Sequence, residues 1–168
     1  MFKFRPSPEE KITLNLYTHA INQARRPEFY LYYGVPDTPL GRFELISVHL
    51  FLILRELKGN PLGQKLHDLA CADIEMNLRE MGTNDLGIGK QVKFLASQLQ
   101  GRMHAYERGL NQEEALEDIL LRNVYAGGGP SSSILAMFAD YVRNRSAFLQ
   151  GQKIKDGLVD FGSAPPVQ

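Results

Sequence analysis

A chain of 168 residues with 43% hydrophobic and 23% charged side chains has the composition of one folded domain and excludes a largely disordered protein. Its 19 basic and 19 acidic residues cancel, which argues against direct nucleic-acid specificity, since that mode of binding rests on an excess of Lys and Arg. The single cysteine, Cys71, excludes an intrachain disulfide and suits a reducing compartment. The opening Met1-Phe2-Lys3-Phe4-Arg5-Pro6 lacks the order of a secretory signal, and no Arg- and Ser-rich transit segment follows. A bacterial or already mature chain is therefore expected. The longest apolar run, Leu50 to Leu54, is far short of the ~20 residues that span a bilayer. The expected location is cytoplasmic, with peripheral contact at the inner face of the membrane left open.

Nearly every segment reads as helix. Ser7-Pro8-Glu9-Glu10 is a start signal, with a capping serine, proline at the first helical position and glutamates at the positive end of the dipole. Ile12, Leu16 and Ala20 then give an apolar face, and Pro27 breaks the helix after Arg25-Arg26. Residues 27–33 form a further turn, and 34–41, with Pro36 and Pro39, read as loop. From Arg42 to Lys58 the chain is helical and apolar on more than one face, so this helix is either central in a core or covers a partner. Pro61 opens a helix to about Met81, and another is expected from near Gly89 to Arg108. Asn111-Gln112-Glu113-Glu114 reads as a cap before a helix to Ala126. Gly127 to Pro130 interrupt, Ser131 to Ser133 offer caps, and Ile134 to Leu149 form a last helix. The expectation is an all-α, single compact bundle-like domain of six or seven helices over 1–150. A flexible tail is expected over 151–168.

Residues 82–94, Gly-Thr-Asn-Asp-Leu-Gly-Ile-Gly-Lys-Gln-Val-Lys-Phe, suggest a phosphate loop at first sight. Gly82 and Gly87 have Walker spacing, but Ile88 and Gly89 stand where Lys and Ser or Thr are needed. The dinucleotide fingerprint fails as well, since no strand-like run precedes these glycines. His19, His49, His67 and His104 include no pair three or four apart on one helix, so they read as packing or surface groups and no metal or cofactor is called for. Cys71 lies among Leu69, Ala70, Ala72 and Ile74, a setting for a small buried hydrophobe and not for an activated thiol. The serines at 131–133 lack the nucleophile elbow and its strand. No catalytic residue emerges.

Asp85-Leu-Gly-Ile-Gly-Lys90, read with Arg25-Arg-Pro-Glu-Phe-Tyr30, Gly34-Val-Pro-Asp-Thr38 and Gly41-Arg-Phe-Glu-Leu45, resembles the ubiquinol–cytochrome c chaperone family. Asp73 and Leu78-Arg-Glu-Met-Gly82 extend the likeness, which runs from about Asn15 to about Gln150 in the family's order. The resemblance implies assembly of the cytochrome bc1 complex by binding newly made cytochrome b or other subunits, without catalysis. It also implies a small partner protein or the ribosome exit region as further contacts. An enzyme with a site assembled from distant residues, and a protein-interaction adaptor, stand as alternatives.

Three clusters are candidate client or partner surfaces. The first is Arg25, Arg26, Phe29, Tyr30, Tyr32 and Tyr33, residue types enriched in binding hot spots; its bland reading is an aromatic pin for a helix–loop corner. The second is the apolar helix beginning Arg42-Phe43, with Leu50 and Ile53 as groove candidates; its bland and favoured reading is a central helix covered by its neighbours. The third is Asp85, Lys90 and Lys93, a small basic surface or a tight turn between helices.

Overall fold

In a computed structural model, residues 5–80 and 85–167 are described, and the side chains of 75, 78–80 and 85–95 lie outside that description. Seven α-helices follow one another: α1 (Pro8–Ala24), α2 (Pro27–Leu31), α3 (Pro39–Glu56), α4 (Pro61–Glu80), α5 (Asp85–Leu110), α6 (Leu116–Val124) and α7 (Ser132–Leu149). A short 3-10 turn, Ile154–Asp156, ends the order, and the described residues contain no strand. The all-α bundle is thus the architecture.

Local signals set most of the helix starts. Ser7 and Glu10 form a capping box on α1, and Ser131 accepts from the Ile134 amide to start α7. Thr38 does the same for α3 through the Gly41 amide, with Pro39 at the first helical position. This start lies three residues ahead of the expected one, because Thr38-Pro39 repeats the Ser7-Pro8 signal inside a stretch that reads as loop. Likewise α5 begins at Asp85 and not near Gly89, so Gly87 and Gly89 lie within the helix and not in the turn before it. The chain after α5 departs from expectation in the other direction. Gln112 takes a left-handed φ of 62°, which ends helical geometry there; Asn111 to Glu114 do not cap, and α6 starts from Ala115.

The helix α3 packs against α1, α4, α5, α6 and α7. Leu45, Val48, Leu50, Leu52 and Ile53 are all buried, and each such side chain contributes about 1.5–3 kcal/mol on leaving water. A helix enclosed this way must satisfy every polar group it carries. His49 does so across the whole bundle. Its Nδ1 lies 2.7 Å from the Leu45 carbonyl, which only accepts, so Nδ1 holds the proton. Nε2 therefore accepts from the Tyr141 hydroxyl at 2.8 Å, and that oxygen in turn accepts from Gln23 Nε2 at 2.9 Å. One chain of bonds thus ties α1, α3 and α7. Around it, Phe29 packs its ring 5.4 Å from Tyr33, 5.3 Å from His49 and 5.2 Å from Tyr141.

The segment after Gly151, expected to fray, is laid back over the helices instead. Ile154, Val159 and Phe161 are buried, and the Phe161 ring stands edge-on to His49 at 5.3 Å. The Tyr33 hydroxyl donates to the Pro166 carbonyl at 2.8 Å, and Arg145 Nη2 donates to the Ser163 carbonyl at 2.9 Å. Lack of helical periodicity is what suggested disorder; the tail holds by three separate apolar anchors, which no periodic pattern reveals.

Burial lowers the His49 pKa from 6.5 to about 4. The unfolded chain then binds a proton first as pH falls, so His49 costs stability between about pH 6.5 and 4 and nothing above. The loss between pH 7 and pH 5 should be about 2 kcal/mol in urea unfolding, and His49→Gln should remove that component whatever it costs at neutral pH. Truncating Phe161→Ala should destabilise by about 3 kcal/mol; a change below about 0.5 kcal/mol, typical of a free surface, would mean the tail is not packed.

Candidate functional site

A groove of about 1080 Å³ lies between α1, α2, the α2–α3 corner, the start of α3 and the later turns of α4. Its apolar wall comprises Tyr30, Leu31, Leu40, Phe43, Ile46 and Ile74. Leu31 is 72% and Leu40 58% exposed, and Met76, also on α4, is 61% exposed. Large apolar side chains left open in one region mark an interaction surface.

The corner that shapes the groove is held by close backbone packing. A Cβ on Gly41 would lie 1.9 Å from the Pro36 carbonyl oxygen, so only glycine allows the loop to fold onto the first turn of α3. From that turn, Phe43 and Ile46, three residues apart, face the groove while Leu45 and Val48 face the core. Phe43 is held from behind by Arg102, whose guanidinium lies 5.4 Å from the ring centroid. Arg102 in turn grips Glu44 with two hydrogen bonds, Nε to Oε2 at 2.6 Å and Nη2 to Oε1, joining α3 to α5. Burial pushes the Glu44 carboxyl up despite the guanidinium pulling it back, so the pair is a costly and specific clamp.

Polar groups are few and placed. On the rim, Arg42 Nε donates to Asp37 Oδ1 at 2.9 Å. On the floor, the Tyr17 hydroxyl donates to Asp73 Oδ2 at 2.8 Å, bridging α1 and α4, and Asn77 Nδ2 donates to the same oxygen at 3.2 Å. Burial first, then this bond to Asp73, pushes the Tyr17 hydroxyl far up, so it remains a donor at every ordinary pH. The Tyr30 hydroxyl, itself pushed up by burial, donates to the Ala24 carbonyl at 3.1 Å and fixes α2 on the end of α1.

Of the candidate residues, Arg25, Tyr30, Arg42 and Phe43 converge on this one groove. The rest do not. Phe29 and Tyr33 are fully enclosed in the aromatic cluster, and Leu50 and Ile53 are fully enclosed in the core. These four are corrected from surface candidates to packing residues: Phe29 and Tyr33 pin the corner, and α3 is enclosed by its neighbours. Arg26 faces Glu28 at 3.7 Å outside the groove, and Tyr32 is exposed nearby without lining it. Asp85, Lys90 and Lys93 belong to the first turns of α5, and their side chains lie outside the described residues. Sequence reasoning missed Leu31, Leu40, Ile46 and the Tyr17–Asp73 pair. Leu40 directly after Pro39 was a usable signal; the pair, 56 residues apart, left none.

An all-α domain with one long apolar groove and a sparse, oriented polar floor has the form of a domain that binds another chain. Residues 31–159 match the family described as ubiquinol–cytochrome C chaperone. The chain belongs to that family. The crystal structure of the Cbp3 homolog from Brucella abortus has the same fold, with a TM-score of 0.84 and 32% identity over 96% of this chain and 94% of that one. Ubiquinol-cytochrome c reductase complex assembly factor 1 is 22% identical in mouse and in human, over 87% of this chain. The chain spans about half the length of these curated relatives, 52% and 51% respectively. Among the described residues no helix is long and apolar enough to cross a membrane, and no group of three or more His, Cys, Asp or Glu side chains could hold a metal ion.

If the Glu44–Arg102 clamp holds the groove wall, Glu44→Gln should cost about 3–5 kcal/mol by stranding a buried guanidinium. Combining Glu44→Leu with Arg102→Met should recover most of that loss in urea unfolding.

Proposed function

We propose that this chain is a non-enzymatic assembly chaperone for the ubiquinol–cytochrome c reductase (bc1) complex, and that its groove holds an apolar segment of newly made cytochrome b. Family membership supplies the process. The observation that carries the site is the groove itself: apolar walls, strongly exposed leucines and the convergence of Arg25, Tyr30, Arg42 and Phe43.

The energetics suit a temporary holder. Four apolar side chains seated in the groove contribute about 6–12 kcal/mol, against about 4–15 kcal/mol lost on association. The balance is weak and reversible binding. A client leaves when its segment finds a larger apolar surface in the membrane or among other subunits. The chaperone then acts as a peripheral, cytoplasmic protein, and a small partner protein or the ribosome exit region would place it beside the emerging client.

Replacing Leu31 and Leu40 together by Asp adds charge only at exposed positions, so the melting temperature should move by no more than a few degrees (surface changes cost about 0.5 kcal/mol each). Recovery of cytochrome b on the tagged protein, measured by mass spectrometry from detergent-solubilised membranes, should fall about tenfold or more. Undiminished recovery with the folded double variant would place the client elsewhere.

A further inference from the structure

The segment that follows α7 does more than cover the bundle. Gln152 closes it into a turn: its Nε2 donates to the Asp160 carbonyl and its Oε1 accepts from the Asp160 amide, both at 2.8 Å. Asn15 of α1 donates to the Gly157 carbonyl, and Arg145 of α7 donates to the Ser163 carbonyl while lying 5.1 Å from the Tyr141 ring. Residues 152–167 thus follow one fixed path over the helices, as a strap. Two of the strap's contacts reach the core side of the groove's α2 wall. Phe161 stands on His49, whose ring also packs against Phe29 of α2, and the Pro166 carbonyl accepts from Tyr33, just after α2. Phe29 and Tyr33 bracket Tyr30 and Leu31, which line the groove; none of the described lining residues belongs to the strap.

We infer that the strap regulates the groove: docked, it holds α2 with Tyr30 and Leu31 in the client-binding position, and released, it frees α2 and weakens the hold on the client. This rests on the reading of the groove as the client site and adds to it how that site is switched. A helix of five residues with no side-chain cap does not persist by its own hydrogen bonds. The position of α2 therefore follows its tertiary contacts, and two of these pass to the strap. A segment held by a few separate anchors opens locally at less cost than the bundle unfolds. Because groove and strap bias the same element, the coupling runs both ways. An open strap weakens client binding, and a bound client holds the strap shut by the same factor.

The test uses the full chain, amide hydrogen exchange and a synthetic Leu/Ala-based helical peptide of about 20 residues, titrated in mild detergent. Saturating the wild type with peptide should slow exchange at the strap amides of Leu158, Asp160 and Gly162 about tenfold, although the peptide lies in the groove. Phe161→Ala combined with Val159→Ala removes two of the strap's apolar anchors and should leave it open. That variant should bind the peptide about tenfold more weakly, the same factor by reciprocity. Tyr33→Phe is the milder change, since it keeps the ring and removes only the bond to Pro166. It should speed exchange about fivefold, the worth of one hydrogen bond, at the strap and at the Val35 amide, which bonds to the Phe29 carbonyl. Strap exchange that ignores the peptide, or that slows only as much as the amides of α6 (the mark of global stabilisation), would overturn the inference. Undiminished binding by the folded double variant would do the same, and each of these results leaves the groove reading intact. Failure of the peptide to bind the folded wild type would overturn both.

Discussion

Enclosing α3 over most of its length among five other helices is the constraint from which the rest of the molecule follows. Its apolar residues supply the core, but a helix buried over most of its length must also house Glu44, Ser47 and His49 inside the protein. Each is answered by a partner that fixes another element. Ser47 returns its hydroxyl to the Phe43 carbonyl of its own helix. Glu44 reaches α5 through Arg102, and His49 reaches α7 and then α1 through Tyr141 and Gln23. Leaving any of these groups unpaired would cost more than the bond is worth when made, so their effect is to reject other packings of an otherwise uniformly oily helix.

The groove inherits its stiffness from the same bonds. Its α3 wall, Phe43 and Ile46, alternates along the helix with residues locked in the core. Its α2 wall rests on Phe29 and Tyr33, whose rings stack into the cluster around His49. Phe29 and Tyr33 therefore shape the groove from inside the core: they anchor the segment that carries Tyr30 and Leu31 at the surface. A preformed groove avoids the ordering cost that a flexible one would incur with each client, which matters where the net affinity is small.

How much of this was legible differs by level. Helix starts were readable at Ser7, where a capping residue precedes proline and an acidic turn, and at Ser131, where a serine follows the Gly127–Pro130 break. The Thr38-Pro39 start was equally readable in chemistry and was hidden by Pro36 and Gly41 on either side. Surface residues were harder. Composition marks aromatic, arginine and leucine positions as adhesive, yet it cannot say whether an adhesive residue meets a partner or the protein's own core. For α3 the difficulty is built in: with apolar residues on every face, helical periodicity no longer distinguishes Leu50 from Phe43. Four predicted groove residues and four core residues thus came from the same kind of signal. The Tyr17–Asp73 bond lay beyond reach because it joins positions 56 residues apart on different helices, and the local Asp73–Asn77 contact does not point to Tyr17.

An exposed apolar groove is also a hazard, since it would pair with any unfolded chain or with a second copy. The distribution of charge around it answers that hazard. Arg25 and the Arg42–Asp37 pair stand at the rim, where they keep water and cost little because they remain solvated. Asp73 lies on the groove floor with Tyr17 and Asn77, where a charge is expensive to cover with an apolar chain. The solvated rim charges bound the apolar surface. Charged and apolar groups thus lie on different parts of one groove, carried by different residues.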